Sequence, residues 1–541
     1  MLDSYRKHHV SSFFLGILLL VSSWFCPHAG AQTWPWVTSL SGNGSETVSA
    51  LTIRIDDGPV VCGHFQNDLS IGNLAEQSIG NTDAFLVGLD GSGEEQWILT
   101  GNSVGANKST GVSTDLENNI YWAGEYWFDT VFGNLTLSTL KSSKAIFILK
   151  ANPSGEPIWA KSIEGTGNKI LGAMTTDAEG NSYLSGNFSD SLFVEDTGLL
   201  ASAEKDFFII KISPSGDLLW VKQAGISGEI QPRRMSTQND LIVVTGSMRG
   251  SFDFGIDTIQ NNTNDSDAFL VAYDSNGEVN WGRKIGGVNE QAGSDVGFDD
   301  HGNIYAVGSF FGLIRLGTDL EIQSPNLNDN LYFIKYNTLG FPMAARSIGD
   351  LEIELSESLV FANDRFYWSG FFKNNFEVDG FSLEADGDGF NTFILEIDTL
   401  ATVLNVHLIT SPETVLMSSL AVDEERKVFG GGALNGVATF NDQTEITTTD
   451  GFDGFVGQLT PLIVGTEEEE IFTSSIKIFP NPATDFIQIE TTLEDLEIRV
   501  YNVEGREILK TNDRKIDCLN WPTGAYFLKV NSVGNYLLVK E

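Results

Sequence analysis

The stretch that decides the fold is DFFIIKISPSGDLLW, residues 206–220: an apolar strand, a Ser-Pro-Ser-Gly turn and a second strand ending on a tryptophan. The pattern returns as DAFLVGLDGSGEEQW ending at Trp97, AIFILKANPSGEPIW ending at Trp159 and DAFLVAYDSNGEVNW ending at Trp281, each with a phenylalanine twelve residues before the tryptophan. Those phenylalanines are Phe85, Phe147, Phe208 and Phe269, and looser copies supply Phe333, Phe393 and Phe455, at separations of 62, 61, 61, 64, 60 and 62 residues. A fixed period near 60 residues marks stacked supersecondary units, none of which can bury its apolar face alone.

A second marker keeps the same beat: Gly63, Gly124, Gly186, Gly246, Gly308, Gly370 and Gly432. Each lies in a short apolar strand, such as SYLSGNF or IYAVGSF, that follows an Asp/Asn/Gly turn and a further alternating strand. Asp, Asn and Gly tolerate left-handed backbone, so these turns are hairpins. The repeat therefore reads as four antiparallel strands, here called A, B (with the glycine), C (with the phenylalanine) and D (with the tryptophan). No helical period intervenes, and the expected fold is all-β, a seven-bladed propeller. The seventh copy ends at Leu459 without a D strand, and TWPWVTSL at residues 33–40 has Trp36 61 residues before Trp97. This N-terminal strand is expected to complete blade seven and close the ring, which removes an unpaired edge.

The motif DAF followed by two hydrophobic residues, Asx-x-x-Gly and Trp, together with Gly-Asn-Ile-Tyr-hydrophobic-x-Gly, resembles the bacterial SBBP-type seven-bladed propeller repeats of exported proteins over residues 33–459. The resemblance implies architecture and leaves the ligand open. Blades five and six depart from it: Ala345 and Asn405 stand where tryptophan is expected, and residues 398–402 contain no glycine. Their outer strands are expected to pack less tightly. A quinoprotein propeller is disfavoured, because the chain lacks adjacent cysteines and additional blades.

The formal net charge is −41, and setting aside Asp3, Arg6 and Lys7 of the N-terminal segment leaves −42. Nucleic acid and anionic membrane surfaces are excluded as expected partners, since both require clustered Lys and Arg. Acidity of this kind keeps an exported protein soluble. Residues 1–31 read as a signal peptide, with Arg6 and Lys7, an apolar run over 13–25, and cleavage after Ala29-Gly30-Ala31, before Gln32. Cys26 offers a lipoprotein alternative, against which bulky Trp24 and Phe25 argue. No other stretch is apolar and long enough for a helical membrane span. Beyond the signal, the two cysteines (Cys62, Cys518) lie in different domains and the three histidines (His64, His301, His407) in three different repeats, which offers no disulfide framework, metal centre or catalytic triad. The most calcium-like fragment, Asp386-Gly-Asp388-Gly, lacks the further acidic ligands of an EF-hand loop. No cofactor is expected, and the protein is expected to be a monomer.

In a propeller the A strands line the channel, and the B–C and D–A connections share one face. The B–C connections are long, as at residues 67–82, 130–144 and 373–390. Function is expected on that face, because rigid scaffolds carry variable chemistry on loops. Three residues past each repeat glycine the sequence stops repeating: Gln66, Trp127, Ser189, Arg249, Phe311, Lys373 and Asn435. This ring, with Trp127 and Phe311 as stacking faces and Arg249 and Lys373 as cations, is the candidate ligand-binding site for a glycan or a protein loop. No nucleophile, base or carboxylate pair at defined spacing supports catalysis.

After Leu459 the texture changes to an acidic linker at 461–471, and residues 472–541 alternate as short strands of a small Ig-like β-sandwich. The motifs around Pro480-Asn481-Pro482-Ala483, Tyr501 with Gly505, and Gly524 with Tyr526 resemble the type A C-terminal sorting domain of type IX secretion substrates. The resemblance implies export across the inner membrane by residues 1–31 and passage through the outer membrane of a Gram-negative cell, with the tail recognised by the type IX machinery. The expected function is a secreted or cell-surface propeller that binds a glycan or protein. The alternative is a secreted polysaccharide-active enzyme using acidic residues of the propeller mouth.

Overall fold

A computed structural model describes residues 33–540 apart from 56, 140–143, 262–264, 318–319, 325–328, 350–352, 363, 424, 442–443, 449–450, 461–476, 480–482, 491–495, 497, 503–506 and 531–533. The signal segment with Ala29, Ala31 and Gln32, the acidic linker, Pro480, Asn481, Pro482 and Gly505 lie outside the described residues. The chain divides into two compact units, Met1–Leu462 and Ile463–Glu541.

The first unit is an all-β propeller. Seven sheets each contain an A-B-C-D meander, beginning with Glu46–Arg54, Gly58–Phe65, Asp83–Leu89 and Glu95–Asn102 in blade one. The A strand of each blade lies beside that of the next, and blade seven returns to blade one. Blade seven takes its D strand from the N-terminus: Thr33–Leu40 pairs antiparallel with Asp453–Thr460. The apolar core sits between neighbouring sheets. Leu40, Phe429 and Val456 of blade seven, for example, pack with Val48, Phe65 and Phe85 of blade one.

The two sequence markers are partners. Gly63 sits opposite Phe85, Gly124 opposite Phe147, Gly186 opposite Phe208 and Gly246 opposite Phe269 across the B–C ladder. A Cβ on Gly186 would stand 2.1 Å from the Ile170 carbonyl oxygen and 2.7 Å from the Phe208 ring. The phenylalanine thus fills the space that the glycine leaves. In blade five the residue opposite Gly308 is Tyr332. The expectation of Phe333 as that anchor is therefore corrected by one position, and Phe333 lies opposite Val307.

The D-strand tryptophans do not belong to one blade. Each packs on the C–D turn of the following blade, where a Cβ on the turn glycine would enter the indole: 2.4 Å for Gly93 against Trp36, 2.3 Å for Gly155 against Trp97 and 2.5 Å for Gly340 against Trp281. The indole N–H groups of Trp36, Trp159, Trp220 and Trp281 donate to turn carbonyls of Gly91, Pro214, Ser275 and Thr338 at 2.9 to 3.2 Å. This explains the irregular blades. The expected Ala345 is likewise corrected by one position: the residue of blade five in the tryptophan register is Ala344, opposite Lys335, and the blade-six turn holds Ala401 in place of glycine, so tryptophan and glycine disappear together. Arg346 donates to the Ala401 carbonyl, as Arg283 donates to the Gly340 carbonyl at 2.8 Å beside Trp281, and also pairs with Asp379. Asn405 of blade six would need a C–D turn in blade seven, where closure by the N-terminal strand leaves none. There His407 and Arg365 bond the buried Glu396 at 2.6 and 2.8 Å. Burial alone would raise the Glu396 carboxyl, and the bonds from His407 and Arg365 hold it below its ordinary value.

The B–C connections are also unlike free loops. Several fold as β-hairpins, and those of blades two, three and five pair with the D strands of blades one, two and four, through Thr130–Phe132, Ser191–Val194 and Leu313–Leu316. They cover outer sheet edges. The Asp-rich A–B turns are hairpins saturated from within: the carboxylates of Asp115, Asp177 and Asp299 accept from Tyr121, Tyr183 and Tyr305 hydroxyls at 2.9 to 3.1 Å and from the Asn four residues on.

The second unit is a small β-sandwich. A three-stranded sheet including Phe486–Glu490 and a four-stranded sheet including Ile498–Asn502 and Gly524–Val530 enclose Ile487, Ile489, Ile498, Val500 and Leu528. Ala483 is fully buried and bridges to Lys540. Tyr501 lies on a strand of the four-stranded sheet, Gly524 begins another, and the Tyr526 hydroxyl donates to the Pro522 carbonyl at 2.7 Å.

Candidate functional site

The seven ring positions are geometrically equivalent, yet they do not form one surface. Backbone N–H groups of Gln66, Ser189 and Phe311 each donate to the residue just before the A strand of their own blade, Ser45, Asn168 and Glu290. Arg249 departs, because its B strand runs on as Leu241–Asp253 and Arg249 pairs with Glu229 inside the sheet. Trp127 is 42% exposed beside exposed Phe128, Lys373 stacks on Phe390 at 4.1 Å, and Asn435 pairs with Thr414.

Arg249 and Phe311 are brought together. They line a groove of about 390 Å³ between blades four and five, with Glu229, Glu290, Gln231 and Asp329. Arg249 lies 3.4 Å from Glu290, and Lys205 pairs with Glu229 at 2.6 Å. Burial, then the neighbouring Glu290, pushes the Asp329 carboxyl up. The groove offers one aromatic face, one guanidinium and several carboxylate and amide acceptors. That set matches a polyhydroxylated ligand, which presents C–H faces to rings and hydroxyls to ions and amides.

Sequence reasoning missed the channel. Each A strand carries a β-bulge at the same repeat position, which leaves Ser49, Thr110, Gly172, Arg233, Ser294, Glu357 (with Ser358) and Ser418 outside the ladder. Bulges re-aim side chains, and here they turn one residue per blade out of register at the ring's centre. Aligning the A strands at the 61-residue period would have exposed the two charged members, Arg233 and Glu357. One residue further on, Asp295, Ser358 and Ser419 accept from the Leu359, Leu420 and Leu51 N–H of the next blade at 2.8 to 3.4 Å. Arg234 instead crosses from blade four to blade seven and donates to the Ser418 carbonyl at 2.9 Å. Burial pushes Asp295 up to about 6 and raises Glu357, with Arg234 opposing both. Replacing Arg234 by Met should cost about 2–4 kcal/mol at pH 8, because two buried carboxylates lose their counter-charge. The Asp295 pKa is raised on folding, so its stabilising neutral form is lost as pH rises through about 6. The penalty should therefore shrink at pH 5 in denaturant titrations.

Among the described residues no three His, Cys, Asp or Glu side chains converge as a metal cluster, and no helix is long and apolar enough to cross a membrane.

Residues 477–540 match the Secretion system C-terminal sorting domain. The chain is similar to Regulatory protein FlaEY of Caulobacter vibrioides, 22% identical over 69% of this chain and 41% of that one. It is also similar to an uncharacterized WD repeat-containing protein of Acanthamoeba polyphaga mimivirus, 25% identical over 38% of this chain and 17% of that one. It thus spans less than half the length of these curated relatives. Among solved structures it is similar to PorZ, an essential bacterial surface component of the type IX secretion system of Porphyromonas gingivalis, at 11% identity and TM-score 0.24, covering 91% of this chain and 81% of that one. The phage phi92 endosialidase matches at 9% identity and TM-score 0.36, covering 93% and 87%. The match over residues 477–540 makes the C-terminal unit a type IX secretion sorting domain and the chain an exported protein, secreted or displayed at the cell surface.

Proposed function

We propose that the propeller binds a glycan in the groove between blades four and five, with Phe311 stacking on a sugar face and Arg249 and the rim amides bonding its hydroxyls. The observation that carries this reading is the convergence of Arg249 and Phe311, from different blades, on one concave polar site. The same site on a secreted polysaccharide-active enzyme would need a carboxylate pair free to exchange protons. Glu229 and Glu290 each have a cation beside them, which favours binding. The test is a glycan array with hydrolysis followed in the same wells. The double variant Arg249→Ala, Phe311→Ala should lose tenfold or more in affinity, about 1.4 kcal/mol. Trp127→Ala and Lys373→Ala, outside the groove, should retain binding. Capture of a surface protein with no glycan signal would move the ligand class to protein, and bond cleavage in the wells would restore the enzyme.

In this reading residues 1–31 are the signal peptide, 32–460 the propeller, 461–471 a linker and 472–541 the address label read by the type IX machinery. Deleting 472–541 should hold the propeller inside the outer membrane, as measured by protease accessibility on intact cells. Surface exposure of the truncated chain would remove the assignment.

A further inference from the structure

At two blade junctions an acid that opens a C strand lies beside an amide at the start of the next A strand, and no second acid meets it. Asp83 of blade one meets Asn107 of blade two, whose N–H donates to the Thr82 carbonyl at 2.8 Å, and Asp267 of blade four meets Gln291 of blade five, whose N–H donates to Ser266 at 2.7 Å. In both the A-strand residue is an amide that caps nearby carbonyls: Asn107 donates to Gly101, and Gln291 to Val288 and Asn289. Blade three uses a full positive charge, with the Lys169 ammonium bonding the Gly165, Thr166 and Gly167 carbonyls at 2.9, 3.3 and 3.1 Å. The C-strand acids are likewise met by donors, Asp83 by the Ile79 and Ser103 N–H and Asp267 by Lys284.

The junction that closes the ring breaks this rule. Glu46 of blade one occupies the position of Lys169 and Gln291, its N–H donates to the Phe452 carbonyl at 2.7 Å, and the C-strand acid is Asp453. Glu46 is 0% exposed and Asp453 4%. Neither carboxylate oxygen of Glu46, nor Oδ1 of Asp453, has a hydrogen-bond partner among the described residues. The charges acting on Glu46 are Asp453 and Asp68, both negative; burial first, then these two, drives it up to about 8, and burial drives Asp453 up to about 6. Beside them the glycine backbone comes close to two oxygens: a Cβ on Gly42 would stand 1.9 Å from the Asp68 carbonyl oxygen and 2.9 Å from Glu46 Oε1, so the Asp68 carbonyl and the Glu46 carboxylate converge on one spot. Two buried carboxylates without donors, in a position filled elsewhere by an ammonium among carbonyls, lack a cation.

We propose that the closing junction binds one calcium ion between Glu46 and Asp453, with main-chain carbonyls such as that of Asp68 completing an oxygen shell. The ion does for the ring closure what Lys169 does for the junction of blades two and three. With fewer than three acidic ligands the site belongs to the weak, extracellular class of calcium sites.

The full-length secreted protein is tested by titration calorimetry with calcium chloride alone and by thermal unfolding in 10 mM calcium against chelator. One ion per chain and a rise in Tm of roughly 2–3 °C are expected. Glu46→Gln, which copies Gln291 of blade five, should abolish the bound ion and the calcium response while leaving Tm in chelator at or above that of the parent. Unchanged stoichiometry in Glu46→Gln would overturn the site. So would a parent protein that takes up no calcium and loses stability equally, with and without calcium, as pH rises through about 8, because Glu46 would then be held neutral by a proton.

Discussion

Removing residues 33–40 should leave a chain that does not form a monodisperse ring. That strand contributes six paired positions to the Asp453–Thr460 ladder and buries Trp34 and Leu40, which are 3% and 0% exposed. Trp34 meets Phe440 edge-on at 5.5 Å, and Trp36 reaches into blade one, bonding the Gly91 carbonyl at 3.2 Å and packing over Gly93. Burial of four large apolar side chains at about 2 kcal/mol each is about 8 kcal/mol, a sum comparable with the whole stability of a domain. The loss also bares the C strand of blade seven as an open edge. Size-exclusion chromatography and dye binding should report soluble aggregates with exposed apolar surface. Moving the same eight residues to follow Thr460 through a five-residue turn should restore the parent's elution profile, since D follows C in every other blade. A monodisperse, cooperative ring without either strand would show that closure is dispensable.

The period, the blade count and the closing strand could all be read from the sequence, because they rest on residues that one blade fixes by itself: the glycine and phenylalanine of a single ladder. What one repeat cannot show is its neighbour. Trp220 reads as an anchor of its own hairpin, whereas its indole bonds Ser275 of the next blade. The ring three residues past each glycine is equivalent by position, but whether two members share a groove depends on where the hairpins lie. Three of those hairpins are consumed covering neighbouring edges, and among the described residues Arg249 and Phe311 converge. The bulges that turn Arg233 and Glu357 out of the ladder leave no compositional trace, because a bulge is one extra residue in an otherwise ordinary strand. Glu46 looked unremarkable for the same reason. Its oddity is its place in a series whose other polar members are Asn107, Lys169 and Gln291.

The tryptophan latch predicts an interaction energy that the protein has already tried out once. Gly340→Ala in blade five should destabilise by about 2–4 kcal/mol: the new methyl would lie 2.5 Å from the Trp281 indole, and the residue sits at φ 73°. Trp281→Ala should cost about 3–4 kcal/mol, since the ring is 4% exposed and its N–H bonds the Thr338 carbonyl at 2.9 Å. The double variant should cost less than the sum by about 1.5 kcal/mol or more, because the methyl enters space the indole has vacated. What is left is the left-handed alanine, about 1 kcal/mol, and the lost burial. The junction of blades five and six is this double variant in natural form, with Ala344 at the tryptophan position and Ala401 at φ 66° in the turn. There Arg346 keeps the bond to the turn carbonyl that Arg283 makes beside Trp281. Chemical denaturation of the four proteins checks the cycle. Strict additivity would mean that Trp281 and Gly340 act separately, and the coupled loss of tryptophan and glycine in blades five and six would then need another cause.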